Sequence, residues 1–267
     1  MEHSLHLRIQ AQPTDSTCGP TCLQAVYEYY GDELALPDVI SQIGELTDGG
    51  TLAVQLACHA LARGYTATIY TYNLLLFDPT WFTDSGEIAE PHALADRLRR
   101  QSELKSAGDP RVGLATKSYL RFLELGGQLR MEPLEEALII RSLENASPVL
   151  CGLSATFLYQ EARERPFPPN ERGISSVPDD VGGAPVGHFV VLSGIDSVSR
   201  QVTVHDPHGL NPFSPDGCYQ ASLNVVSASI LLSIVTYDAN LLVIAPDRNQ
   251  RPASTENLTQ TNQQGEA

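Results

Sequence analysis

The sequence predicts an α+β fold, and three observations lead to it. Apolar residues recur at helical spacing over much of the first half of the chain, whereas short runs rich in β-branched residues dominate the second half. A polar loop between two of those runs indicates a hairpin. Helices followed by strands are typical of the α+β class, so we expect an N-terminal helical half packed on a C-terminal antiparallel sheet.

Turn and capping residues set the expected ends of the helices. The first helix runs from Cys18 to Tyr30 and ends at Gly31. A strand is expected over 65–72, between the third helix and the fourth. The other predicted helices follow Pro37, run from Thr51 to Gly64, and span 91–107, 116–125 and 134–143.

The second half is expected to form short strands. The loop 196–200 joins two of them as a hairpin, and a proline- and glycine-rich segment, 165–185, is expected to be a long ordered or gating loop. The predicted strands are 148–154, 187–195, 201–206 and 241–245.

Length and composition indicate a globular chain. Its 267 residues are 42% hydrophobic and 18% charged, which is ordinary for a soluble protein. Residues 1–246 contain no clear linker or repeat and are expected to form one domain. The last stretch, 247–267, is polar and lacks aromatic residues, so it is expected to be a disordered tail.

The charge restricts the partners. A net charge of -15 and a pI near 4.7 oppose binding to nucleic acid or to an anionic membrane, and agree better with a neutral or cationic substrate. The longest apolar stretch, near 228–235, is too short to span a bilayer, and the N-terminus lacks a signal-type apolar core. We therefore expect a cytoplasmic protein without membrane insertion.

The five cysteines are an odd number, spread widely along the chain, which argues against a disulfide framework and for a reducing compartment. Cys22, Cys58 and Cys151 are expected to fill the core. Cys18 differs, because Ser16 or Thr17 can cap the helix that it begins. At the positive end of a helix dipole a thiolate is favoured over a thiol, which makes Cys18 a candidate nucleophile.

His188 and Asp206 are the candidate partners of this thiol. His188 begins one strand of the predicted hairpin and Asp206 ends the other, so a hairpin closed near Ser197 would make their side chains neighbours. A carboxylate that orients an imidazole gives a thiolate its base and proton donor. A structural histidine and a turn-forming aspartate before Pro207 are the alternatives for each residue alone.

These residues together resemble the C39-like branch of the papain-like cysteine peptidases. The resemblance rests on Gln12 six positions before Cys18, on Cys18-Gly19-Pro20 at a helix start, on Gly187-His188-Phe189-Val190-Val191-Leu192, and on Asp206-Pro207. It implies a papain-like fold, no cofactor or metal, and a peptide or other amide as substrate. The region 74–127 is long for a minimal core of this family, and we expect it to shape substrate access.

The resemblance also assigns roles to the matching residues. It makes Cys18 the nucleophile, His188 the general acid and base, and Asp206 the orienting group. It makes the Gln12 side chain and the Cys18 backbone N–H the oxyanion donors. The best-known members are fused to membrane transporters and remove leader peptides, and that role is not expected here, since no transmembrane segment or phosphate-binding loop accompanies the motifs.

Three alternatives stay open beside hydrolysis. The same thioester could be resolved by an amine, as in a transpeptidase or acyltransferase. The domain could bind peptides without catalysis, although the presence of Cys18 argues against this. The third alternative is a metal site built from His188, His205, Asp206 and His208, and it is weak because His205 and Asp206 would point to opposite faces of a strand.

Overall fold

The computed structural model describes residues 2–44, 50–168 and 175–247. The predicted tail, apart from Asp247, lies outside these residues, as does part of the predicted 165–185 loop. None of the helices in the described ranges has the length and apolar character needed to cross a membrane.

Eight α-helices form within the described residues, and most of them start close to the predicted positions. They are α1 (Cys18–Tyr29), α2 (Leu36–Ile43), α3 (Ala53–Ala62), α4 (Pro91–Lys105), α5 (Pro110–Glu124), α6 (Glu136–Glu144), α7 (Ala155–Tyr159) and α8 (Leu223–Leu232). Short 3-10 turns cover Pro79–Trp81 and Ser233–Thr236.

The strands include all those predicted from the sequence. They are β1 (Glu2–Ser4), β2 (Tyr65–Thr71), β3 (Gln128–Arg130), β4 (Val149–Ser154), β5 (Glu164–Pro166), β6 (Ser176–Pro178), β7 (Gly187–Asp196), β8 (Gln201–His205), β9 (Cys218–Ser222) and β10 (Asn240–Pro246). The predicted hairpin is formed by β7 and β8, with a register shift between Leu192 and Gly194.

One eight-stranded sheet organises the molecule. Its order is β3-β2-β10-β4-β7-β8-β9, and β1 pairs with the far end of β7. All these pairs are antiparallel except β2 with β3, so the sheet is mixed. It also takes three strands, β1, β2 and β3, from the mainly helical N-terminal half, and of these only β2 was predicted. A separate two-stranded ribbon joins β5 to β6.

Both faces of the sheet are covered by helices, which confirms the α+β class. On β7, Phe189 and Val191 belong to a core shared with α1, α3, α4 and α5, whereas Val190 and Leu192 belong to a core shared with α6, α7 and α8. The long apolar run of β7 follows from this, because a strand buried on both faces has no polar side to alternate with.

Three helices differ from the sequence prediction, and the short α7 is one of them, because no helix was predicted over 155–159. Helix α5 begins at Pro110 rather than near residue 116, because the Asp109 side chain accepts a hydrogen bond from the Arg111 N–H and Pro110 fits the first turn. Helix α8 occupies a stretch for which no element was predicted. Its valines and serines favour helices weakly, so it depends on packing of Val226 and Ile230 in the core.

Candidate active site

Cys18 is the first residue of α1 and is 7% exposed. The turn before it is held by Thr14, whose carbonyl accepts hydrogen bonds from the Thr17 N–H at 3.2 Å and from the Thr17 hydroxyl at 2.9 Å. Thr17 occupies the N-cap position, but its side chain bonds to this turn rather than to a helix N–H, unlike the predicted cap. The thiol is therefore placed by the turn.

The start of α1 lies close against the sheet. A Cβ added to Gly19 would lie 3.2 Å from Phe189 Cδ2 and 3.3 Å from Leu56 Cδ1, so this position favours glycine. One turn later, Cys22 is fully buried and its Sγ donates to the Phe189 carbonyl at 3.3 Å. This close contact brings Cys18 to the beginning of β7, where His188 lies.

His188 connects Cys18 to Asp206. It is the second residue of β7, and its Nε2 lies 2.8 Å from Asp206 Oδ1. The Cys18 side chain lies close enough to His188 to raise the pKa of its imidazole. Because Asp206 takes Nε2, the ring nitrogen left for Cys18 is Nδ1. All three side chains are buried, and the structure thus brings the three sequence-predicted residues together, with His188 between Cys18 and Asp206.

Four donors surround the Asp206 carboxylate. Its Oδ1 binds His188 and also accepts the His208 N–H at 2.9 Å. Its Oδ2 accepts the Tyr159 hydroxyl at 2.7 Å and the Tyr219 hydroxyl at 2.8 Å. Both oxygens are thus satisfied twice, which is what a carboxylate needs to remain charged when it is only 2% exposed.

The electrostatics of the pair follow from this burial. Burial by itself would lower the pKa of His188, but the Asp206 charge and the hydrogen bonds to Asp206 and Cys18 outweigh it and raise that pKa to about 10. Burial would raise the pKa of Asp206, yet the charge of His188 and the hydrogen bonds from His188, Tyr159 and the His208 N–H lower it. The site therefore favours an imidazolium beside a carboxylate.

Gln12 lies next to this group but is oriented differently from the prediction. Its backbone N–H donates to the Pro207 carbonyl at 2.8 Å, which holds it beside the Asp206 segment. Its side-chain Nε2 donates to the Thr14 carbonyl at 2.9 Å. Its Oε1 is buried without a hydrogen-bond partner among the described residues. In this conformation the side-chain amide N–H is hydrogen bonded to the turn before α1 and does not point to a substrate position.

Cys18 and His188 line a cavity of about 660 Å³. This volume is in the range of small-ligand and peptide-side-chain sites. Its described wall does not include Gln12. The other lining residues are Asp15, Ser16, Gly50, Thr51, Leu52, Pro110, Arg111, Leu114, Ser175, Gly187, Phe189, Thr236, Tyr237 and Asp238. Some of the region 74–127 thus reaches the cavity, through the first turns of α5.

The metal alternative finds no support in the described ranges, where no group of three or more His, Cys, Asp or Glu side chains could hold an ion. His205 points away from Asp206 and its Nε2 lies 2.8 Å from the Ser193 hydroxyl. Among the other cysteines, Cys151 is buried as expected, Cys58 is partly buried and Cys218 is exposed, and all are free thiols.

Sequence reasoning missed Tyr159, Tyr219 and Asp238. Tyr159 ends the short helix α7 and Tyr219 belongs to β9, and neither element was predicted. A short alternation of apolar and polar residues over 219–222 was a weak local signal for β9 in the sequence. Asp238 lies in the turn before β10, where an aspartate is ordinary.

Comparisons with known proteins found similar solved structures. No family model and no curated protein matches the chain. A double-glycine-motif protease from an AMS/PCAT transporter, solved with the leader peptide, is similar over 92% of this chain and 95% of its own, with 13% identity and a TM-score of 0.43. The peptidase domain of Streptococcus ComA, a bifunctional ABC transporter involved in quorum sensing, is similar over 91% and 100%, with 12% identity and a TM-score of 0.39.

A third solved structure is a C39-like peptidase from Bacillus anthracis. It is similar over 92% of this chain and 98% of its own, with 14% identity and a TM-score of 0.47.

Proposed function

We propose that this protein is a cysteine-dependent hydrolase that cleaves an amide bond in a peptide or peptide-like substrate. One observation carries the proposal: His188 lies beside Cys18 and 2.8 Å from Asp206, and Cys18 and His188 line a cavity of about 660 Å³. A nucleophile, a base and an orienting group in this order are the requirements of acyl transfer through a thioester.

Each residue has a defined role in the proposed reaction. The Cys18 thiolate attacks the carbonyl carbon and forms the C–S bond. The His188 imidazolium then gives its proton to the leaving amine as the C–N bond breaks, which leaves a thioester. Water loses a proton to His188 and attacks the thioester, the C–S bond breaks, and the acid product and the Cys18 thiolate are released. Asp206 keeps the imidazole in position through both steps.

The developing oxyanion needs donors near Cys18. The Cys18 backbone N–H is at the first position of α1, where no carbonyl of the same helix can bind it. In the proposed mechanism the Gln12 amide supplies a second donor after it releases the Thr14 carbonyl. A neutral amide suits this role, because its N–H group can donate a hydrogen bond to the oxyanion without transferring the proton.

We place this activity in a reducing compartment such as the cytoplasm, with neither nucleic acid nor a membrane as partner. The five cysteines are free thiols, as a thiolate nucleophile requires. The charge of -15 opposes association with phosphate backbones and anionic lipid. A peptide or other amide is the partner that fits the cavity.

The proposal is tested by screening fluorogenic peptides with the wild-type protein, the Cys18→Ala variant and the matched Cys218→Ala variant, which removes an exposed thiol outside the site. We expect turnover in the wild type and in Cys218→Ala, and none in Cys18→Ala. Mass spectrometry should detect an acyl group on Cys18. Turnover by folded Cys18→Ala would refute the mechanism, and amine adducts in place of the acid would identify a transferase.

A further inference from the structure

Asp238 places a carboxylate in the wall of the same cavity that Cys18 and His188 line. It lies two residues before β10 and is 8% exposed. Its Oδ1 accepts the Ala53 N–H at 3.0 Å, at the start of α3. A helix start is capped equally well by a neutral serine, threonine or asparagine. Capping therefore accounts for one oxygen of Asp238 but gives no reason for a charge in this wall.

Among the described residues, no cation forms an ion pair with this carboxylate. Burial raises the pKa of Asp238 to about 7 although the Ala53 N–H and the Asn240 side chain both donate to it. A buried carboxylate without a counterion is unfavourable. A cation carried by a bound substrate would supply the missing partner.

Arg111 and Asp15, which also line the cavity, have other neighbours. Arg111 lies near Tyr237, whose pKa its charge lowers against the larger effect of burial. Asp15 is exposed, and its Oδ2 accepts the Ser175 N–H at 3.0 Å. Asp238 is thus the buried acidic residue of this wall, apart from the Cys18–His188 pair.

Its surroundings suit a long cationic side chain. Leu52, Leu114 and Phe189 line the same cavity and can contact an aliphatic stem, as occurs where lysine and arginine side chains cross apolar surfaces. Thr51, two residues before Ala53, is 6% exposed, and its hydroxyl oxygen has no hydrogen-bond partner among the described residues. An acceptor for a further N–H therefore lies in the same stretch of wall.

We propose that Asp238, together with Thr51, forms a specificity subsite that binds a lysine or arginine side chain of the peptide substrate close to the scissile bond. The inference rests on the proposed peptidase function. It names the substrate class that such a peptidase prefers: basic peptides, in agreement with the strongly negative net charge of the chain.

Binding can be measured without turnover. In the Cys18→Ala background, calorimetry would compare peptides that carry Lys or Arg at each position in turn with peptides that carry norleucine or Gln there. We expect one position at which the basic residue binds about 10- to 100-fold more tightly, the effect of a charge-assisted hydrogen bond. Adding Asp238→Asn, which keeps an oxygen for the Ala53 N–H, should remove that preference.

The outcomes separate this inference from the proposed function. Preferred binding of basic peptides that disappears with Asp238→Asn supports the subsite even if the wild type hydrolyses none of them. Turnover that depends on Cys18 but shows no preference for Lys or Arg overturns the subsite alone. The subsite is also overturned if no basic peptide binds, if folded Asp238→Asn keeps the preference, or if Asp15→Asn removes it instead.

Discussion

Tyr219→Phe tests whether Asp206 is held as a buried charge. The substitution removes the hydroxyl 2.8 Å from Asp206 Oδ2 and leaves the ring in place. A hydrogen bond to a charged group contributes about 1.5–3 kcal/mol, so we expect the free energy of unfolding near neutral pH to fall by about that amount. The Tyr159 hydroxyl would remain on the same oxygen, which keeps the carboxylate ionised.

The pH dependence of this loss has a definite sign. The pKa of Asp206 is lowered in the folded state, so its charge contributes stability above the unfolded pKa, and that stability is lost as the pH falls through the folded pKa. The hydroxyl of Tyr219 favours the charged form. The difference in stability between Tyr219→Phe and the wild type should therefore be greatest near neutral pH and shrink in acid.

Urea unfolding of both proteins over this pH range is the assay, and Tyr72→Phe is the matched control. The Tyr72 hydroxyl is buried without a hydrogen-bond partner among the described residues, so its removal should cost little or be stabilising at every pH. The reasoning is refuted if Tyr219→Phe destabilises no more than Tyr72→Phe, or if its effect is the same in acid as near neutral pH.

Three further predictions concern the site and its support. Asp206→Asn removes the charge that raises the pKa of His188 to about 10, so the alkaline limb of kcat/KM should move to lower pH, and an unmoved limb would contradict the pairing. Gln12→Ala should lower kcat by about a hundredfold with a smaller change in KM, and an unchanged kcat would exclude Gln12 from the oxyanion site. Gly152→Ala would place a Cβ 2.2 Å from the Asp238 carbonyl oxygen and should destabilise by about 1–3 kcal/mol in thermal unfolding, whereas wild-type stability would contradict the packing.

The sequence predicted those elements whose ends carry local signals. Gly31 and Gly64 follow α1 and α3 closely, and both adopt positive φ, of 80° and 85°. The predicted start of α5 was too late, because Asp109 and Pro110 begin this helix ahead of its apolar repeat. Elements such as α8 and β9 depend on burial against the sheet, which a single window of sequence does not contain.

The residues of the candidate site could be predicted only where the elements that carry them could be predicted. Cys18, His188 and Asp206 could be selected because each stands at the end of an element that was itself predictable. Tyr159 and Tyr219 could not, because they reach Asp206 across 47 and 13 residues from elements that were not predicted. The residues that hold the carboxylate are therefore known only once the strands are paired.

The Gln12 conformation fits an oxyanion role better than its present hydrogen bond suggests. The Thr14 carbonyl accepts three donors: Gln12 Nε2, the Thr17 N–H and the Thr17 hydroxyl. A carbonyl oxygen has two lone pairs, so loss of Gln12 leaves it satisfied. The Gln12 Oε1, by contrast, is buried without a donor in the described part of the chain, which is unfavourable. Rotation of this side chain toward an oxyanion would break only the hydrogen bond to the Thr14 carbonyl, which keeps two other donors. The rotation would also move the unsatisfied Oε1 out of its buried position. Substrate binding therefore needs to supply little energy to bring the Gln12 amide to the oxyanion.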